Sequence, residues 1–319
     1  MNDSIDKSRP NTPVAVSVVR HPTASLFLQA AHTFLLSEPL SANVIAVVAA
    51  RMAAGEPANT GRDSSQGGEQ DNLWVTLEED LERNNRGEQP GVIGVAMRTP
   101  PQPLFLSHMP GFAAATLAAA LKAEQGEGRA HADLPGVTGT SATAEAFARE
   151  WTVRSGKQAR VTGRMRMYRL QQLSTPADST GEAVLAEPER DLAVVTAWLE
   201  AFHAEARPGT PAQDWGELAA ARIARDQIHL WRDGGRAVSL AAVSAAAAGV
   251  ARIGPVYTPP QSRRNGYGAA VTAAASAAAL AGGAREVVLY ADLANPTANS
   301  IYQQIGYRAD HDAVELMFT

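Results

Sequence analysis

Apolar and polar positions along the chain fall into two stretches with a similar order of elements. In the first stretch, residues 26–36 and 42–53 carry helical spacing, and residues 73–79, 92–97 and 104–107 read as strands. Residues 111–125 place Ala115, Leu117, Ala118 and Leu121 on one helical stripe. A second helix follows over 141–155, with Ser141 or Thr143 positioned to cap it. Residues 158–170 then form a strand containing Val161, Met165, Met167 and Tyr168. No clear strand separates those last two helices, so this stretch reads as a degenerate copy of the next.

The second stretch opens with a short strand at 182–186 and a helix at 188–206, whose Pro188 sits in the first turn, where a missing N–H costs little. A helix at 215–225 follows. Strands at 228–232 and 237–244 flank Asp233-Gly234-Gly235, a hairpin turn signal. The order continues as strand 250–258, helix 266–280 closed by Gly282-Gly283, strand 286–292, helix 296–305 and strand 313–318.

The spaces between these elements suggest the domain boundaries. Residues 1–23 read as loosely attached, and 55–71 as a mobile surface loop rich in Gly, Ser, Asn and charge. A Ser/Thr/Pro/Gly stretch provides a linker at 174–181, between domains at 1–173 and 182–319. Two domains suit 319 residues. The hydrophobic share of 45% is that of a globular protein, and its bias to alanine and valine predicts tight helix packing.

Charge and cysteine content narrow the chemistry. A net charge of −5 without runs of one sign gives no footprint for nucleic acid. With no cysteine there is no disulfide, thiolate metal site or cysteine nucleophile. The polar first 13 residues lack the apolar core of a secretory signal, and no run approaches ~20 apolar residues, so the expectation is a cytoplasmic chain with no membrane partner. The 7 histidines are scattered, so no metal site is expected, and no Gly-x-Ser-x-Gly is present. Arg164 and Arg166 should share one face of a solvated strand.

The segment richest in chemistry runs from Val256 to Gly268. Apolar residues lead into Pro259-Pro260, then Arg263, Arg264 and Asn265, then Gly266-Tyr267-Gly268 and an alanine-rich helix starting with Ala269. The first turn of a helix carries unpaired N–H groups and partial positive charge, and so suits an anion. Glycines let a pyrophosphate approach the backbone, and the arginines add charge. A dinucleotide fingerprint would need a small residue where Val271 stands, and a P-loop would need Gly-Lys-Ser/Thr. A plain glycine turn entering a helix is the remaining alternative.

The segment resembles motif A of the GNAT acyltransferase superfamily, Arg/Gln-x-x-Gly-x-Gly/Ala, at Arg263, Gly266 and Gly268, with Arg264 standing where many members carry glycine. A second stretch at the expected distance is similar to that family's Asn-x-x-Ala-x-x-x-Tyr followed by Gly-Phe/Tyr, at Asn295, Ala298, Tyr302, Gly306 and Tyr307. The resemblance implies an α+β fold of two tandem GNAT-like domains, each with a mixed, mostly antiparallel sheet flanked by helices. It implies acetyl-CoA as acyl donor. The donor would be held by Val256, Tyr257, Arg263, Arg264, Asn265, Gly266, Tyr267, Gly268 and Ala269, and by Asn295 and Asn299. Tyr302 would be the general acid that protonates the leaving thiolate. Gly254-Pro255 would mark a bulge that opens a slot for the pantetheine arm.

The expected function is direct acetyl transfer to a primary amine of a small molecule or peptide, by a monomer or homodimer. A non-catalytic CoA-binding protein and a transferase of larger acyl groups are the alternatives. No acid lies on 250–258, where many members carry a glutamate; Asp292, His229, His203 and Glu315 are the candidates for a base. The corresponding segment of the first stretch, Leu106 to Phe112, lacks Gly-x-Gly and arginine, so one CoA site per chain is expected.

Overall fold

A computed structural model describes residues 15–56, 72–79, 91–125, 134–176, 179–206 and 214–319. The first half contains β1 (Val16–Arg20), α1 (Ala24–Ala30), α2 (His32–Ser37), α3 (Asn43–Ala53), β2 (Leu73–Glu79), β3 (Val92–Arg98) and β4 (Leu104–Leu106). It continues through α4 (Gly111–Gln125), β5 (Gly136–Thr140), α5 (Ser141–Ser155) and β6 (Ala159–Leu170). The second half contains β7 (Glu182–Leu185), α6 (Pro188–Ala206), α7 (Trp215–Ile223), β8 (Ile228–Asp233), β9 (Arg236–Val243) and β10 (Val250–Tyr257). It closes with α8 (Tyr267–Ala281), β11 (Glu286–Asp292), α9 (Pro296–Gln304) and β12 (Tyr307–Phe318).

All strands among the described residues join one 12-stranded sheet, in the order β1-β2-β3-β4-β5-β12-β6-β11-β10-β9-β8-β7. Pairing is antiparallel except at β4/β5 and β10/β11. The order is a palindrome with one exchange at its centre: the last strand of each half lies on the other half's side. β12 pairs with β5 and β6, from Tyr307 opposite Leu170 to Phe318 opposite Ala159. β6 in turn pairs with β11, Tyr168 facing Leu289.

Two of the apolar clusters, one in each half, draw on the opposite half in the same way. Val314, Leu316 and Phe318 belong to the first-half core with Leu117, Phe147 and Trp151. Phe318 stacks on Trp151 at 5.9 Å between ring centroids. Tyr168 and Leu170 of β6 are buried in the second-half core with Ile253, Val271, Leu289 and Tyr307. Burying such aromatic side chains supplies ~1.5–3 kcal/mol each.

Several expectations need correction. The segment expected to be loosely attached contains β1, which pairs antiparallel with β2 through Val16–Arg20 and packs Val16 and Val18 on the core. The strand thought missing is β5, so among the described residues the first half has as many strands as the second. Its sequence, Gly-Val-Thr-Gly-Thr, reads as a turn, yet the glycines are set by crowding from the neighbouring strands. A Cβ at Gly136 would collide with the Leu316 carbonyl oxygen, and one at Gly139 would lie 2.8 Å from that of Leu106.

The helix read over 26–36 breaks into α1 and α2 at Ala31. Thr140 takes the N-cap position of α5 with no side-chain cap bond, and Thr143 bonds to Met109 instead. β12 begins at Tyr307, earlier than the alternation indicates. Of the loop read at 55–71, Glu56 is ion-paired to Arg51 and Arg225, and residues 57–71 lie outside the described residues. No helix among the described residues is long and apolar enough to cross a membrane.

The exchange yields a test. Residues 182–319 alone leave β11 without β6 and strip β12 of both neighbours. That fragment is expected to show no cooperative thermal transition by circular dichroism, in contrast to the full chain. A cooperative transition in the fragment would mean that β11 and β12 close the sheet without β6.

Candidate functional site

The site begins where β10 parts from β11. Their parallel register runs from Val250 opposite Glu286 to Ile253 opposite Leu289 and then ends. On its other edge, β10 shifts register against β9 between Ile253 and Val256. Gly254 sits at φ 141, a conformation that suits glycine, and Pro255 has no N–H to give to a ladder. The bulge expected at Gly254-Pro255 is therefore present, and beyond it β10 leaves β11 with backbone groups exposed on the inner edge.

β10 leads into the glycine turn. A single 3-10 turn over Pro260–Ser262 is followed by Arg264 at φ 67 and Gly266 at φ 76, and α8 starts at Tyr267. The N–H groups of this first helical turn lack intrahelical acceptors. They border a groove of about 570 Å³ lined by Arg264, Asn265, Gly266, Tyr267, Ser179 and Gln304. A Cβ at Gly268 would crowd Thr258 Oγ1 at 3.3 Å, and one at Gly266 would meet Ser179 Oγ at 2.8 Å. Glycine at both positions keeps the cradle open.

The side chains of the turn divide into those that face the groove and those that brace it. Arg264 faces the groove, and among the described residues its guanidinium has no partner. Arg263, expected to add charge for a phosphate, is turned away: its Nε–H donates to the Thr258 carbonyl at 2.9 Å and its Nη2 contacts Glu205 at 2.7 and 3.0 Å. It also lies 5.9 Å from the centroid of the Tyr257 ring.

Tyr257 donates to the same Glu205 at 3.1 Å, and burial together with that carboxylate pushes its phenol pKa up. Asn265 donates to the carbonyls of Ser262 and Arg263, both at 3.2 Å, and stiffens the turn. Tyr267 donates to Asp233 at 2.5 Å. Val256 and Ala269 pack on the edge of the second-half core.

The other border is the β11–α9 turn. Asn295 caps α9 by accepting from Ala298 N–H at 3.0 Å. Asn299 donates to the carbonyls of Asp292 at 2.8 Å and Asn295 at 2.7 Å, and accepts from the Tyr168 hydroxyl at 2.8 Å. Its amide is thus spent on positioning this turn. Sequence reading missed Tyr168 because it comes from β6, across the exchange, and no local spacing connects it to Asn299.

The Tyr302 ring packs against the second-half core, 6.4 Å from the ring of Tyr168 and 6.3 Å from that of Tyr307. Burial pushes its pKa up to about 12, and its hydroxyl has no hydrogen-bond partner among the described residues.

The candidate bases are dispersed. His203 packs its ring on Trp215 at 4.5 Å, and His229 lies on β8, where burial lowers its pKa. Glu315 accepts from Thr162 at 2.9 Å on β12. Asp292 ends β11 and accepts from Ala294 N–H at 2.8 Å, and is the one of these residues that borders the parted strands.

The first half has no glycine turn at the equivalent place. Its parallel pair β4/β5 registers Leu104 with Val137 and Phe105 with Thr138. Where the second half opens a glycine turn, buried Met109 fills the first, its N–H donating to Thr143 Oγ1 at 3.3 Å and its carbonyl accepting from that hydroxyl at 3.1 Å. Arg166 is held by Asp312 at 2.7 Å.

Residues 232–316 match the family model described as FR47-like protein. Among solved structures, a Drosophila protein is 14% identical and superposes with a TM-score of 0.61, covering 95% of this chain and 98% of its own. A GCN5-related N-acetyltransferase from Sphaerobacter thermophilus is 17% identical with a TM-score of 0.56, covering 94% of each chain. A GNAT-family acetyltransferase from Colwellia psychrerythraea is 11% identical with a TM-score of 0.53, covering 95% of this chain and 100% of its own. At these identities the likeness is one of fold. No curated protein matches the sequence.

Gly266→Asp and Gly268→Asp place a carboxylate in the cradle and are expected to nearly abolish coenzyme A binding in calorimetry, with one site per chain in the parent protein. Unchanged affinity in the folded variants would remove this turn from the site. Two equivalent sites would contradict the reading that the first half, without a glycine turn, has no site of its own.

Proposed function

We propose that this chain is a member of the GNAT superfamily and an acetyl-CoA-dependent N-acetyltransferase that passes acetyl directly to a primary amine of a small molecule or peptide. The observation that carries the reading is the continuity of the parted β10/β11 pair with the glycine turn at the head of α8. The residues present suit the donor: glycines keep the cradle free, Arg264 points into the groove, and Tyr302 holds its proton at neutral pH.

Acetyl-CoA supplies an activated thioester carbonyl and a thiolate leaving group. In this reading the first-turn N–H groups of α8 and the Arg264 guanidinium hold the pyrophosphate. The backbone of β10 beyond Ile253 orients the pantetheine arm, and one N–H there polarises the thioester carbonyl. The amine nitrogen attacks that carbonyl carbon, the C–S bond breaks, and the Tyr302 hydroxyl delivers a proton to sulfur. The amine sheds its proton to solvent or to Asp292. With no cysteine in the chain, transfer proceeds without a cysteinyl acyl-enzyme.

Two measurements follow. Tyr302→Phe keeps the ring and removes the O–H, so kcat is expected to fall ~10²–10⁴-fold with little change in coenzyme A affinity. A wild-type rate with chemistry limiting would assign the acid elsewhere.

The pH profile has a defined sign. A tyrosine raised to about 12 remains a proton donor until pH climbs through that value, so it imposes no alkaline limb below it. kcat/KM is expected to rise with pH along the acceptor amine's own deprotonation. A fall near pH 9–10, the range of an unshifted phenol at ~10, would show Tyr302 titrating as if exposed.

A further inference from the structure

The sheet face opposite α8 carries an arginine cluster that the donor site does not use. Arg252 of β10 stands in register with Val288, two residues before the glycine where β10 parts from β11. Arg222 reaches the same place from α7, Arg225 from the turn that follows it, and Arg51 from α3 of the first half, which docks on this face with the Asn43 side chain donating to the Val250 carbonyl at 3.2 Å. Together with Gly254 these arginines line a pocket of about 80 Å³. At ~30 Å³ per water molecule, that volume suits a carboxylate or phosphate group and little more.

The cluster is partly braced. Glu56 contacts Arg51 at 3.2 Å and Arg225 at 2.9 Å, and Arg225 also donates to the Ala221 carbonyl at 3.0 Å. Arg222 is different. Among the described residues its guanidinium has neither an ion-pair nor a hydrogen-bond partner. The residue is half-buried, and desolvation by burial together with the like charges of Arg252 and Arg51 pushes its pKa down to about 10. A desolvated cation among like charges is unfavourable unless an anion joins it.

We propose that this pocket binds an oxyanion, carboxylate or phosphate, carried by the amine acceptor, and so sets the substrate class as small amines bearing a negative group. Gly254 both lines the pocket and marks the parting of β10 from β11, so an anion held there would place a nearby amine at the inner end of the donor slot. The guanidiniums suit such an anion because they offer paired N–H donors to two oxygens at once. This inference rests on the transferase reading for its substrate, while its anion site is testable without turnover.

Matched acceptors provide the first test: β-alanine against β-alaninamide, and phosphoethanolamine against ethanolamine, with acetyl-CoA and thiol release as readout on the full chain. The anionic member of at least one pair is expected to have a kcat/KM ~10–100-fold higher, and Arg222→Gln should collapse that ratio toward one. Whichever pair shows the effect identifies the anion. Equal rates for charged and neutral members, or an unchanged ratio in Arg222→Gln, would overturn the proposal.

The second test uses inorganic phosphate and thermal unfolding. Phosphate should raise Tm in the parent protein and in Gly266→Asp, whose donor cradle is blocked, but not in Arg222→Gln. The absence of any rise, or a rise abolished by Gly266→Asp and kept in Arg222→Gln, would count against the pocket. Without phosphate, Arg222→Gln should unfold no earlier than the parent, because it removes a buried like charge; an earlier transition would mark Arg222 as structural. Arg252→Gln serves as the second variant should Arg222→Gln not fold. Failure of the parent to bind coenzyme A would defeat the donor assignment while leaving a phosphate response at Arg222 intact.

Discussion

The β6/β12 pair is the interaction on which the rest of the structure depends. Twelve-residue strands meet at the middle of the sheet; β12 places Val314, Leu316 and Phe318 in the first-half core, and β6 places Tyr168 and Leu170 in the second-half core. Without β12 the first half loses Val314, Leu316 and Phe318 from beneath Trp151. Without β6 the second half loses Tyr168, and with it the bond that holds Asn299 and the β11–α9 turn in place. Contacts such as Ala159 to Phe318 close very long loops of chain, and contacts of that kind are slow to form. The halves are therefore coupled in folding as well as in packing.

That coupling lets two similar halves serve different ends. The second half opens its parallel pair at Gly254 and follows it with a glycine turn, whereas the first half carries buried Met109, tied to Thr143, where that turn would stand. The first half also covers the opposite sheet face. Asn43 anchors it on β10, Leu40 packs on Val250, Val288 and Met167, and Arg51 joins the arginine pocket. The inner face of the second half is thus bounded by both halves.

Much of this was legible in the sequence where the signal is local. The Gly234-Gly235 turn, the helix at 188–206, the strand at 286–292 and the glycine turn at 266–268 follow from periodicity and turn chemistry, and lie where those features place them. Nothing local announces the exchange, because alternation along β6 and β12 is the same whichever neighbour they take. β5 was hidden for a related reason: its glycines answer to the Leu316 and Leu106 carbonyls, both remote in sequence. Arg263 looked like a phosphate ligand because its partner Glu205 lies on another helix. The arginine pocket draws on α3, α7 and β10, and no stretch of sequence displays it.

Arg264 stands at φ 67, where a side chain costs roughly 1–2 kcal/mol that glycine would not incur. The conformation is held by its neighbours: Asn265 ties back to the carbonyls of Ser262 and Arg263, and Arg263 is anchored on Glu205. A loop restrained in this way has little freedom left to lose when a ligand arrives. The entropy of ordering it is spent during folding, so association there should depend on electrostatic encounter and desolvation rather than on the closing of a flexible segment.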